Sequence, residues 1–265
     1  TAADAAIAAL ILVYALAAWF NLRIPRTGVE MRPLRQDPAR SVLVNTLALL
    51  PDFWTCNNRL WRDRLGQISL ATTTLFWGAG GNLKFIVLAW AAVALGYNTT
   101  NAAALTGVVA IGTAAGAVLA SMRMRLDNAT RVIPLGIAMG LLLLLMVYIK
   151  NIWLAVPFLI LLGGLGGFLV VPMNALLQHR GHNLMGAGRS IAVQNFNEQA
   201  AILGLGALYS LSLKFGLSVF GAITVFGVVV AGAMALIRHW HRHNCRYHRA
   251  EVTHLLRIAR RDPHL

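Results

Sequence analysis

Charge is scarce in this sequence of 265 residues. Asp, Glu, Lys and Arg make up 12% of it, against roughly 25% in a soluble domain of this length. Only nine residues are acidic. Cysteine is nearly absent, with Cys56 and Cys245 alone, which rules out a disulfide framework. No GxSxG, no Walker loop and no HExxH occurs, so there is no set on which to build an enzyme, and no cofactor or metal is expected. The regular alternation of a membrane barrel is missing as well.

Long apolar blocks fill the space. Hydrophobic residues make up 58% of the chain, and they fall into seven runs, at 3–22, 69–95, 101–121, 132–149, 152–177, 188–213 and 216–237. Each is close to or above the ~20 residues that cross a hydrocarbon core. A backbone in lipid must satisfy its own hydrogen bonds, so the runs are expected to be helices. The fold class is therefore an all-α integral membrane protein with seven transmembrane helices.

A net charge of +14 invites a nucleic-acid reading, but its distribution argues otherwise. Twenty of the 23 basic residues lie in 23–64, 122–131, 178–189 and 238–265, the connections on one side of the spans. The other side holds Lys150 and Lys214, and Lys84 is within a span. By the positive-inside rule the arginine-rich side, with the C-terminus, is cytoplasmic. Both cysteines fall on that side. Asn98-Thr99-Thr100 matches a glycosylation sequon on the other side, a weak signal at three residues.

The chain opens "TAADAAIAALILVYALAAWF", almost inside a span, with no Met and no basic lead-in. The expectation is a chain whose earlier spans are missing. Four regions follow: an isolated helix (1–22), a linker with an amphipathic segment (23–68), a six-helix unit (69–237) and a basic tail (238–265). In the linker, "SVLVNTLALLPDFW" repeats Val44, Leu47, Leu50 and Trp54 at helical spacing, with Asn45, Thr46 and Asp52 between them. It reads either as a helix on the membrane surface or as an ordinary loop with short helices. The pairs Gly112/Gly116, Gly136/Gly140 and Gly163/Gly167 are GxxxG spacings, taken as sites of close helix packing. The histidines of "RHWHRHNCRYHR" match no zinc spacing, and a tail touching anionic membrane lipid is the better reading.

Polar groups inside the spans are the functional candidates. "TTTLFWGAGGNLKF" carries Asn82 and Lys84 near the middle of its span. An intramembrane cation is costly, so it needs a partner or an aqueous cavity. Lys84 is either half of a salt bridge or the receptor for an anionic group. The glycines before it are expected to weaken the helix and let it open. "GAGRSIAVQNFNEQAA" holds Gln194, Asn195, Asn197, Glu198 and Gln199, too many polar groups for a lipid-facing helix. Glu198 would pair with Lys84, carry protons or bind a substrate amine. In "GGFLVVPMNALLQHRG", Pro172 frees a carbonyl, and Asn174 and Gln178 share a face, at a cavity mouth or as plain helix-end capping.

These three stretches, in this order and spacing, resemble the lysophospholipid transporters of the major facilitator superfamily, and the resemblance covers nearly the whole chain. It implies the sixth helix plus the C-terminal six-helix half of that fold. It also implies a multi-pass protein of the bacterial inner membrane that flips lysophosphatidylethanolamine-type lipids to the cytoplasmic face for re-acylation. The implied partners are the lysophospholipid, the N-terminal transporter half and a cytoplasmic acyltransferase. The family carries a basic residue at the position of Lys84, with an inferred substrate role. The rivals are a drug or solute exporter of the same superfamily and, less favoured, a seven-helix receptor or retinal protein. In a retinal protein the lysine would sit in the last span, whereas Lys84 is in the second.

Overall fold

A computed structural model describes residues 2–24, 44 and 47–261. The chain divides into two units, 1–48 and 49–265. The first contains α1 (Ala2–Leu22). Its side chains from Asp4 onward are exposed, and between Asp4 and Asn21 every residue is apolar or aromatic, as suits a lipid surround or partner helices. Arg23 closes it with its guanidinium 4.1 Å from the Trp19 ring centre. Asn45 and Thr46 lie outside the described residues.

The second unit is a helix bundle. It comprises α2 (Leu50–Arg62), α3 (Gly66–Leu95), α4 (Thr99–Arg123), a 3-10 turn (Leu126–Val132), α5 (Ile133–Met146), α6 (Ile152–Met185), α7 (Ala187–Lys214), α8 (Val219–Tyr247) and α9 (Arg249–Arg261). Among the described residues six segments are long and apolar enough to cross a membrane. The seventh expected span is α7. It is a helix of 28 residues, but its polar run from Arg189 to Gln199 keeps it out of that group.

Local signals place the helix ends. Pro51 opens α2, where a missing N–H costs nothing. Asn98 accepts from the Asn101 N–H at 2.9 Å and caps α4, so the sequon residue has a structural task. Asn151 caps α6 in the same way and Ser218 caps α8. Gly96 ends α3 with φ +65°, the left-handed conformation that glycine adopts without strain.

Glycine sets how closely the helices approach. A Cβ at Gly112, Gly116, Gly163 or Gly167 would land on a backbone carbonyl of the facing helix, so α4 and α6 touch main chain to main chain. Gly140 meets the backbone of Ala231 and Gly136 meets Met234, joining α5 to α8. The packing reading of the GxxxG pairs holds. A core that includes Trp90, Phe226, Leu143, Met146, Leu159 and Leu162 is closed to solvent.

From Leu50 the amphipathic segment runs into α2, which packs on the bundle through residues outside the apolar stripe. Cys56, Asn57 and Leu60 are the residues α2 buries. Cys56 and Leu60 pack with Leu70, Leu177 and Val193 of the bundle, while Leu50 and Trp54 stay exposed. Residues of α7 offer α2 specific partners: Asn197 donates to Asn57 (2.9 Å), and Phe196 stacks edge-on with Phe53 and Trp54. The basic tail is also structured. α8 continues to Tyr247, and α9 buries Val252 and Leu255 with Leu65, Ala129 and Leu176.

Candidate functional site

The two singled-out residues of α3 face opposite ways. Two helical steps turn the axis by about 200°, and the contacts follow. Asn82 is buried and donates to Gly78 O (2.8 Å) and to Ile202 O of α7 (2.9 Å). It fastens α3 to α7. Lys84 looks the other way, into a groove shared with Thr106, Val109, Ala110 and Thr113 of α4. Its Nζ lies 4.8 Å from the Phe85 ring centre, and its side chain is exposed.

The expected break in α3 does not form. The helix is continuous through Gly78, Gly80 and Gly81, because tertiary contacts outweigh the helix cost of glycine. Gly78 lets Ala201 and Leu205 approach, and Gly81 lets Ile202 do so. Gly80 points to open space, with no atom within 4 Å of where a Cβ would stand.

Glu198 does not meet Lys84. Gly78 lies against Ala201, and Asn82 lies beside Gly206, so Glu198 is level with about residue 75 of α3. That is about 13 Å of helix rise below Lys84. Among the described residues no ion pair joins them. Glu198 instead accepts from Gln194 Nε2 at 2.8 Å, and the same amide nitrogen donates to Asn174 Oδ1 at 2.7 Å. Thus Asn174, Gln194 and Glu198 form one polar cluster between α6 and α7. Asn195 is exposed and stands apart from it.

Two features escaped the sequence reading. The first is an apolar cavity of about 180 Å³, lined by residues including Phe76, Trp77, Gly80, Val109, Met139, Leu162 and Gly166. It shares Gly80, Leu83, Val109 and Thr113 with the Lys84 groove, so the two adjoin as neighbouring parts of a cleft, with a cation beside one and hydrocarbon around the other. A sequence signal was present: Phe76, Gly80 and Lys84 are spaced four apart and stand in one row of α3. The second is Asp63 with Arg180. Both are nearly buried, with bonds of 2.5 and 3.1 Å. They lie 117 positions apart, beyond any local pattern. In the tail, His241 Nε2 is 3.6 Å from Cys245 Sγ, and among the described residues no group of three metal-binding side chains gathers.

No protein-family model matches the chain, and no solved structure matches it. Curated sequences do. The lysophospholipid transporters LplT of Yersinia pestis (strain Pestoides F) and of Yersinia pseudotuberculosis serotype O:3 (strain YPIII) are each 40% identical over 218 residues, 80% of this chain and 50% of the relative. The chain thus spans about half the length of the curated relatives it matches. The likeness carried by the three motifs extends over four fifths of the sequence, which is similar to about half of a lysophospholipid transporter.

Proposed function

We propose that this chain is the substrate-holding part of a lysophospholipid transporter, the C-terminal six-helix half of a major facilitator fold with one preceding helix, in a bacterial inner membrane. On this reading the arginine-rich connections and the C-terminus face the cytoplasm. An N-terminal half completes the pathway, and a cytoplasmic acyltransferase receives the lipid.

One observation carries the proposal: the cleft is amphiphilic in the same sense as a lysophospholipid. Lys84 supplies a cation for the phosphate at the exposed end, and the adjoining apolar cavity accepts hydrocarbon. An apolar cavity of about 150 Å³ takes one benzene, so 180 Å³ has room for a segment of one chain and not for two. Glu198 is too distant to hold the ammonium of a head group bound at Lys84, since only two carbons separate that ammonium from the phosphate ester. Its cluster with Gln194 and Asn174 is assigned to joining α6 and α7.

The test is uptake of radiolabelled lysophosphatidylethanolamine by spheroplasts producing this chain together with the N-terminal half, with diacyl phosphatidylethanolamine as the comparison. Uptake of the single-chain lipid well above the two-chain lipid supports the reading. No uptake above empty-vector spheroplasts, or equal uptake of both lipids, sinks it.

A further inference from the structure

One glycine borders both parts of the cleft. Gly80 stands midway between Lys84 and Phe76 in a single row of α3, and it borders both the cation-bearing groove and the apolar cavity. Val109 and Thr113 of α4 stand across the same passage. Gly80 differs from its neighbours in what its missing side chain does. Gly78 and Gly81 give up their volume to α7, and Gly163 gives up its volume to the α4 backbone, whereas Gly80 meets nothing within 4 Å. Helix packing therefore does not require glycine here, and the helix itself would prefer almost any other residue. What the glycine preserves is the passage.

We propose that Gly80 sets the length of acyl chain that the cleft accepts. This rests on the transport reading above. A lipid held at Lys84 by its phosphate sends its chain over Gly80 toward Phe76 and Met139, about 12 Å down the helix row. The floor is firm: Phe76 lies 3.1 Å from where a Cβ on Gly166 would stand. A side chain at position 80 would cross the passage before the cavity is reached. It would leave room for a short chain above it and exclude a long one. Removing bulk at Met139 would deepen the cavity instead.

Uptake of lysophosphatidylethanolamines bearing chains of decreasing length, from octadecanoyl through decanoyl to hexanoyl, decides the matter in spheroplasts producing Gly80→Leu or the unaltered protein, each together with the N-terminal half. The expected result is a loss of about tenfold or more for octadecanoyl with hexanoyl uptake within about twofold of the unaltered protein. Gly80→Ala adds a methyl that meets no atom, so it folds; it should show the same order of loss at smaller amplitude, and it decides the question if the leucine variant does not reach the membrane. Met139→Ala should shift preference toward the longest chain. Equal loss across all lengths, or no change in either Gly80 variant, overturns the length-setting role and leaves the transport reading standing. Failure of the unaltered protein to take up any of the three lipids overturns both.

Discussion

Arg180 grips Asp63 with a two-pronged bond, Nε to Oδ1 at 3.1 Å and an Nη to Oδ2 at 2.5 Å. The same carboxylate accepts from the backbone N–H of Gly66 at 2.7 Å and of Leu65 at 3.2 Å. Asp63 therefore caps α3 while holding α6. With side-chain exposures of 6% and 9%, neither charge has water as an alternative partner. Removing one partner of such a pair typically costs about 3–5 kcal/mol. Asp63→Ala should lower the thermal midpoint of the detergent-solubilised protein by several degrees. Asp63→Ala with Arg180→Leu should recover part of the loss but not the cap. A single variant as stable as the unaltered protein would show that the pair contributes nothing.

Lys84 should depend on charge more than on shape. Lys84→Arg keeps the cation and can bind phosphate through two donors, so it should retain much of the uptake. Lys84→Met keeps the stem and loses the charge. It should cost about 1.5–3 kcal/mol of binding, roughly 10- to 100-fold in affinity. Because Lys84 is exposed and has no ion pair with Glu198, the methionine variant should reach the membrane in normal amount. Normal lysophospholipid uptake by that variant, per folded protein, would dismiss the phosphate site.

The Glu198 cluster should behave as a joint between helices. Glu198→Gln keeps an acceptor for Gln194 and should be mild. Glu198→Leu removes one of the two acceptors of that amide, a loss of about 1–3 kcal/mol for a buried donor left without a partner. The check is thermal unfolding followed by tryptophan fluorescence. If leucine and glutamine give the same midpoint, the bond has no structural value.

Gly116 and Gly107 lie on one helix and should respond oppositely. A methyl at Gly116 would strike Gly164 O, whereas one at Gly107 meets nothing within 4 Å. Gly116→Ala should reduce folded yield sharply, and Gly107→Ala should be neutral or slightly stabilising. Size-exclusion profiles of the two purified variants would separate them, and equal profiles would contradict the close approach of α4 and α6.

Orientation is open to a labelling test, though not through Cys56, which is buried. In a background lacking both native cysteines, Lys150→Cys should react with a membrane-impermeant thiol reagent in intact cells, and Arg257→Cys should not. The reverse pattern would invert the topology.

Helices were legible in the sequence because hydrophobic length is a property of consecutive residues. The runs at 69–95 and 101–121 differ from α3 and α4 by a few terminal residues. The division of polar residues among faces was only half legible. Spacing correctly joined Gln194 to Glu198, since four residues make one turn. Asn82 and Lys84 were grouped by proximity in the chain, although two residues of helix put them on opposite faces. The break expected at GAGG failed because glycine propensity is a local quantity, whereas Ala201 and Ile202 arrive from elsewhere in the sequence. Asp63 and Arg180 were silent for the same reason: each resembles any other charge in an arginine-rich connection until the fold brings them together.

The main-chain contact between α4 and α6 has a mechanical meaning for the cleft. Where carbonyl meets glycine there is no side chain to rotate out of the way, so the wall bearing Val109 and Thr113 cannot slide over Gly163 and Gly167 without losing contact altogether. The opposite wall is α3, clasped to α7 by Asn82. The two walls of the cleft are therefore held by different means, one by main-chain contact and one by a side-chain amide. On the transport reading proposed above, a lipid chain passing over Gly80 would press on the α3 side, which is held through Asn82 to α7, and not on the glycine-locked α4 side.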